Sequence, residues 1–489
     1  MGSEDYAVMI MHVNWRRWRR SAAIFLLMGV VGAVFWLQRT IKVHTLVLAG
    51  IPERPATVGF PGLTDAVVQG EEFARSYVRS LRGLISLSRL YHANGFFNES
   101  IQCYRALSRI EPRSPRWYHL QANILAGFGR LDEALPLEQP AVYMADEYFP
   151  ARMRLGDVLL KLNQTASAVE TYRQVLEHDH DNPYALLGLA KCALTVQDWT
   201  TARENLRKCV SVHPAFIGGM SLLATVSEHF GDQVEAARLR EEIGRKEFSD
   251  LPDPWLDDLL FDCYDPYRLS VVATVAKMVG DLAKAKSLLE RATALAPENS
   301  SYHRQLGLLL SQGIDSEAAR RELERAVSLA PNDVDAWLLL YQLLTKLGDT
   351  SAAARTITSG LLNCPDSASL HLERARLWNT SGHPTQAAAE FREAYRLNPS
   401  EAQSLIELAS VLFGLGQEDE ALASLRMALE KQPENPMALS TLTFYYISHG
   451  DETEALVWWQ HVCHQPRTLP RTVEALQQAF RQHFGHDLP

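Results

Sequence analysis

Alanine recurs through this chain at a spacing that few folds tolerate. Ala134, Ala168, Ala202 and Ala236 stand 34 residues apart, and after one step of 49 so do Ala285, Ala319, Ala353, Ala387, Ala421 and Ala455. A period of 34 accommodates two antiparallel helices with their turns. Units of that kind bury their apolar faces only by stacking on one another. The spacing therefore predicts a stack of helical hairpins, an architecture that generally holds other molecules rather than transforming them.

Other positions keep the same phase. Pro297, Pro331, Pro365, Pro399 and Pro433 are spaced by 34, and Pro112 and Pro214 share the register across two periods without Pro. Proline lacks the amide that a continuing helix needs, so each marks the end of a hairpin. Glycine falls at Gly95, Gly129, Gly231, Gly280, Gly348, Gly382, Gly416 and Gly450. There it can take the left-handed conformation that turns the chain from one helix into the next. Small residues such as Ala122, Gly156, Ala190 and Gly307, with the alanine series, let the paired helices cross closely. Tyr104, Tyr172, Phe391 and Trp459 fill the remaining contacts.

These residues are the pattern of the tetratricopeptide repeat, and the chain resembles that family. The unit from Ser300 shows Leu306-Gly307, Ala319, Ala326 and Pro331; the unit from Ala368 shows Ala375, Gly382, Ala387, Phe391, Ala394 and Pro399. The resemblance implies an all-α fold: a right-handed superhelical solenoid of about eleven helix-turn-helix units, with an N-terminal transmembrane helix ahead of it. Five repeats are expected across 81–250 and six across 266–469, with a capping helix over 470–489. Departures are local: Ser100 replaces the first alanine, and Asp146 and His180 replace the closing proline. Between the two blocks the register slips by 15 residues over 251–265. Asp253-Pro254 there reads as an N-cap and first helical residue. A short helix through Trp255–Cys263 is expected to follow, with its aspartates on a solvated face.

Ahead of the repeats, residues 22–37 are uninterrupted apolar, and Ser21 and Gln38 extend the uncharged stretch over 21–38. That length is at the short end for a membrane-spanning helix. Arg16, Arg17, Arg19 and Arg20 precede it and make 1–20 a basic cytoplasmic segment, which directs the bulk of the chain out of the cytoplasm. Trp36, Leu37 and Gln38 do not resemble the small-residue site of a cleaved signal peptide. Residues 39–80 read as a linker whose first half, rich in proline and glycine, is an irregular spacer; Glu71 to Ser80 is expected to turn helical. The layout matches membrane-anchored repeat proteins of the bacterial type, with the repeats extracytoplasmic at the inner membrane.

The net charge of −10 is carried wholly by the repeat body, because residues 1–42 are basic. An acidic body disfavours nucleic acid as a partner, since phosphate contacts need a basic surface. No P-loop, GxSxG, HExxH or dinucleotide fingerprint occurs, so no enzyme activity, cofactor or metal is expected. The pairs His178/His180 and His461/His464 lack a third and fourth ligand. Cys192 and Cys209 share one hairpin and are candidates for pairing under oxidising conditions.

The resemblance further implies a concave groove, lined by the first helix of each hairpin, that takes peptide segments or helices of protein partners. Groove positions in the first block are Arg82, Arg89, His92, His119, Asn123, Arg154 and Lys191. In the second they are Arg304, Gln342, Arg376 and Asn379. The basic bias of the first set suits an acidic or carboxylate-bearing ligand. The leading expectation is a membrane-anchored scaffold that recruits proteins. The alternative is an assembly factor for an envelope system: cytochrome maturation, a secretion or pilus machine, or polysaccharide export. A catalytic fragment carrying repeats is disfavoured, because no stretch outside the repeats is long enough for a catalytic domain.

Overall fold

In a computed structural model the structure describes residues 28, 30–55, 60, 62–244, 251–463 and 470–487. Residues 21–27 and 29 of the apolar segment assigned to the membrane lie outside the described residues, as does His464. Among the described residues there is no strand, and no helix is long and apolar enough to cross a membrane.

The helices are α1 (30–50) and α2 (Leu63–Arg75), followed by hairpins. The first five are α3 (Ser80–Ala93) with α4 (Phe97–Ile110), α5 (Pro115–Gly127) with α6 (Leu131–Met144), α7 (Phe149–Lys161) with α8 (Thr165–His178), α9 (Pro183–Thr195) with α10 (Trp199–Val212), and α11 (Ile217–His229) with α12 (Gln233–Ile243). A short helix α13 (Pro254–Asp257) runs into a 3-10 turn at Asp258–Asp262. Six hairpins follow: α14 (Pro266–Met278) with α15 (Leu282–Leu295), α16 (Ser300–Leu310) with α17 (Ser316–Leu329), α18 (Val334–Lys346) with α19 (Thr350–Asn363), α20 (Ala368–Thr380) with α21 (Pro384–Leu397), α22 (Gln403–Gly414) with α23 (Glu418–Lys431), and α24 (Pro436–Ser448) with α25 (Glu452–Cys463). Helix α26 (Pro470–Phe484) ends the chain.

Side chains start these helices where the sequence offers an oxygen. Asn182, Asp265 and Asn435 each accept a backbone amide of the first turn, and each is followed by proline at the first helical position. The turns inside the hairpins are left-handed at Gly95, Gly129, Gly231, Gly280, Gly348, Gly382, Gly416 and Gly450. Where the same register carries no glycine, Asn163 (φ 59°) and Gln197 (φ 62°) take the left-handed conformation instead.

Packing within a hairpin is close because one partner is small. A Cβ on Gly156 or on Gly188 would come within 2.5 Å of the Tyr172 ring, so that ring is wedged between two glycines of successive first helices. The alanine series is buried throughout. Between hairpins a polar tie recurs six residues after the closing position. His303, Trp337 and His371 donate to the carbonyls of Pro297 (3.0 Å), Pro331 (2.8 Å) and Pro365 (2.9 Å). Arg152 makes the equivalent bond to the Asp146 carboxylate, which stands in for the missing proline.

Packing divides the chain into two compact units, one ending at Leu295 and one beginning at Ala296. The boundary falls after α15, one hairpin beyond the register slip, because the 251–265 segment folds back and ties α14 and α15 into the first unit. Arg268 on α14 donates to the Ala93 carbonyl (2.8 Å), and Arg291 on α15 to that of Cys263 (3.0 Å).

The region assigned to an irregular linker also differs. Helix α1 continues to residue 50 before Pro52 and Pro55 break it, and the lead-in helix is α2 at Leu63–Arg75 rather than 71–80. His44, Val47 and Gly50, at helical spacing, are buried. A Cβ on Gly50 would lie 2.4 Å from that of Ala106. His44 stacks on Tyr77 at 4.0 Å, and Arg54 forms a two-pronged ion pair with Glu71 (3.0 and 2.6 Å). Apolar residues at a helical period carry α1 through residue 50, and the irregular stretch begins only at Ile51, with Pro52 and Pro55 in it. In the second unit, Leu476 and Phe480 of α26 pack on Leu439, Ile447 and Trp459 and cover the last hairpin.

Cys192 and Cys209 are buried, unbridged thiols, and burial pushes each up to about 11.

Candidate partner-binding groove

The first helices α3, α5, α7, α9 and α11 carry the groove residues of the first unit, and the chain's own 251–265 segment is seated on part of them. Its anchor is Asp253, the N-cap of α13, whose Oδ1 receives the Leu256 amide at 3.3 Å. The other oxygen, Oδ2, lies 2.8 Å from His119 Nε2, and Tyr148 donates its hydroxyl to Oδ1 at 2.6 Å. The second ring nitrogen of His119 lies 2.5 Å from Glu138. Trp255 stacks on Tyr148 with ring centres 3.6 Å apart. Further along, Asp258 pairs with Arg116 (3.2 Å) and Asp262 with Arg89 (2.6 Å). Asn94 holds the end of the segment, donating to the Asp262 carbonyl (2.8 Å) and accepting the Tyr264 amide (2.7 Å).

His119 and Glu138 have almost no exposed surface, and Asp253 retains 3%. Burial by itself would lower the His119 pKa. The Glu138 charge and the hydrogen bonds to both carboxylates outweigh it and hold the ring at about 9. Both ring nitrogens then donate, one to each acid. Burial alone would raise Asp253, but its bonds to His119 and Tyr148 hold it below the usual carboxylate range. Glu138 is raised, burial being stronger there than the pull of His119. The expected solvated acidic face is thus corrected at Asp253: this carboxylate is a buried ligand of the groove.

Beyond the seated segment the groove holds a cavity of about 420 Å³ between α7, α9 and α11, with Leu251 at its edge. Arg154 and Lys191 lie in its lining with Asp157, beside Tyr184, Leu187, Phe216 and Leu222. Tyr184 and Phe216 meet edge to face at 4.9 Å. Asp157 accepts the Tyr172 hydroxyl at 2.8 Å.

The structure thus brings Arg154 and Lys191 together in one cavity and places Arg89 and His119 against the chain's own acids. Arg82 is exposed. Asn123 lines a smaller hollow that also reaches Arg154. His92 points into the core, 3.1 Å from the Tyr104 hydroxyl, and burial lowers it to about 3. In the second unit Gln342 and Asn379 are exposed. Arg304 pairs with Asp333 (3.0 Å) and Asp335 (3.2 Å), and Arg376 with Glu373 (2.6 Å) and Glu407 (2.6 Å), so these cations bridge neighbouring segments of the stack. Tyr148, Glu138, Trp255 and Phe216 were missed from sequence. The available signal was the register slip itself, where a tryptophan and five aspartates break an otherwise strict period. Among the described residues no three His, Cys, Asp or Glu side chains are grouped to hold a metal ion.

Three family models, each described as tetratricopeptide repeat, match residues 125–192, 184–215, and 273–333 with 372–436. Among curated proteins, the chain is 25% identical over 207 residues to the human protein O-mannosyl-transferase TMTC3, covering 42% of this chain and 21% of that protein. It is 25% identical over 178 residues to cellulose synthase 1 operon protein C of Komagataeibacter xylinus, covering 36% and 12%. It is 27% identical over 104 residues to Hsp70-Hsp90 organizing protein 2 of Arabidopsis thaliana, covering 20% and 18%. The chain therefore spans about a fifth or less of the curated relatives it matches. Among solved structures, yeast Tom70 aligns over 83% of this chain and 96% of its own at 14% identity, with a TM-score of 0.37.

Proposed function

Because this chain is a tetratricopeptide-repeat protein, we propose that it works without catalysis, as a membrane-anchored scaffold that holds protein partners in the groove of its first unit. The observation that carries this reading is the 251–265 segment. The groove already binds a stretch of polypeptide through buried acid-base contacts and an aromatic stack, so its surface is suited to reading peptide chemistry. The relatives include an Hsp70-Hsp90 organizing protein. That supports the same class of action here.

The anchor is the finer part of the proposal. Residues 21–38 are placed across the inner membrane of a bacterium with the repeats outside the cytoplasm. The cluster Arg16, Arg17, Arg19 and Arg20 supports that orientation. Val31, Phe35 and Trp36 on α1 are 61%, 69% and 67% exposed, which suits a helix continuing out of a bilayer. The same helix then meets the first hairpin at Gly50, where an added Cβ would touch Ala106 and Leu84, so the helix that leaves the anchor is packed on the repeats.

In-cell photo-crosslinking tests the groove. A photoreactive residue at Lys191 is expected to capture protein partners, while one at Val234, 82% exposed on the second helix α12, captures none of them. Capture from Val234 alone would place recognition on the opposite side. For the anchor, the full chain is expected to stay with membranes in alkaline carbonate and a chain lacking residues 1–42 to wash off. Retention of the shortened chain would rule out residues 21–38 as the attachment.

A further inference from the structure

We propose that the turn between α2 and α3 rests on the membrane surface from which α1 emerges, with Val78 against the lipid and Arg75, Arg79 and Arg82 on anionic phospholipid headgroups. This rests on the anchor reading above and adds a second membrane contact, made by the repeat body itself. Position is the first reason. Helix α1 is exposed at every residue from 30 to 39, and His44 is its first buried residue. Tyr77 of the turn stacks on His44 at 4.0 Å. From Gln38, the end of the uncharged stretch, to His44 is about 9 Å along a helix. The headgroup layer beyond the hydrocarbon core is about 5–8 Å deep. The turn therefore stands at the outer edge of that layer, within reach of an arginine side chain.

Surface chemistry is the second. Leu37 and Ile41 precede His44 by seven and three residues, which puts them on the same face of α1, and both are exposed. They carry an apolar path from the anchor to Tyr77 and to Val78, which is 95% exposed. The turn is held in shape: Ser76 donates its hydroxyl to the Phe73 carbonyl at 2.9 Å and accepts the Arg79 amide at 3.2 Å. The Arg79 guanidinium lies over the Phe73 ring at 5.1 Å. Arg75, Arg79 and Arg82 are all exposed. Residues 66–98 hold two acids, Glu71 and Glu72, and Glu71 is occupied by Arg54. No acid occurs from 6 to 52. The part of the first unit beside the anchor is thus cationic within an acidic chain. An exposed apolar tip among arginines suits the boundary between anionic headgroups and hydrocarbon.

Photo-crosslinking to lipid tests this on the full chain, reconstituted into vesicles of phosphatidylcholine alone or mixed with phosphatidylglycerol. A photoreactive residue at Val78 is expected to give lipid adducts by mass spectrometry in the mixed vesicles, and one at Val234 on α12 to give none. An arginine near an anionic surface strengthens contact by about fivefold. The adduct yield at Val78 is therefore expected to fall at least about fivefold in phosphatidylcholine alone, and likewise in the triple variant Arg75→Glu, Arg79→Glu, Arg82→Glu. Circular dichroism checks that the triple variant folds, and the comparison of the two lipids on the parent arginines supplies the test if it does not. No lipid adduct at Val78, in a chain that alkaline carbonate leaves on the vesicles, would overturn the contact while leaving the anchor. Equal yields in both lipids would overturn the headgroup recognition. If carbonate stripped the full chain from the vesicles, the anchor and the contact would fall together.

Discussion

Two residues show how local rules and the repeat compete. Asn163 and Gln197 occupy the turn that glycine fills elsewhere, and both adopt the left-handed conformation. The stack imposes it, because each turn must feed the next helix at the same angle. Asparagine tolerates this conformation; glutamine has no comparable compensation. Gln197→Gly is expected to raise stability by about 0.5–1 kcal/mol, read from chemical denaturation, with a smaller gain for Asn163→Gly. Neither site was legible beforehand, since the register was read from glycine alone. At His119 the consequence is a pH dependence. Its pKa is raised from 6.5 to about 9, so its stabilising contribution is full below 6.5 and is lost as pH rises through about 9. Asp253 is lowered, so its contribution is lost at the acid end, as pH falls through its folded value. Melting temperatures are expected to drop between pH 8 and 10 in the parent chain, and His119→Gln is expected to flatten that limb. An equally steep limb in the variant would show that another group controls it. Asp253→Ala, which leaves His119 Nε2 and the Tyr148 hydroxyl buried without their acceptor, is expected to cost about 1–3 kcal/mol.

Among the elements, the hairpins were readable because helix, left-handed turn, helix and proline stop each need a residue type that the sequence supplies at a fixed spacing. The 251–265 segment was readable only in part. Asp253-Pro254 announced a helix start, and the structure has one. Its destination was not announced, because partners such as His119 lie 134 residues away in the chain and no local pattern reports them. Helix α2 depends on a close fit to the helix that follows it. A Cβ on Gly83 would lie 2.1 Å from the Ala74 backbone nitrogen, so α2 and α3 touch main chain to main chain. Gly83→Ala must force them apart, and overpacking of this kind typically costs about 1–3 kcal/mol. Limited proteolysis is expected to cut within Leu63–Arg75 sooner in this variant; an unchanged digest would mean that α2 is held by other contacts.

For the whole molecule, the two units are expected to open differently. Stacked repeats contact chiefly their neighbours, so they can unravel from an end. In the second unit packing runs from each helix to the next one or two in order, and α26 closes the end. Phe480→Ala removes a fully buried ring and is expected to cost about 3–5 kcal/mol locally. Hydrogen exchange should then quicken in α24 and α25 before α16 and α17; uniform quickening would contradict end-wise opening. In the first unit, the acidic segment ties α3, α5 and α7 to residues far along the chain. Its hairpins are expected to exchange together, and Asp253→Ala to separate them. What the sequence determined by itself is the repeat: its class, its phase and the groove it implies follow from short-range spacings, and a 34-residue unit closes most of its contacts within itself and its neighbour. Only the tertiary structure decided that Arg89 and His119 of the groove answer to the chain's own acids. That depends on a segment returning across more than a hundred residues, and its position is set by burial of a charge network rather than by any local preference.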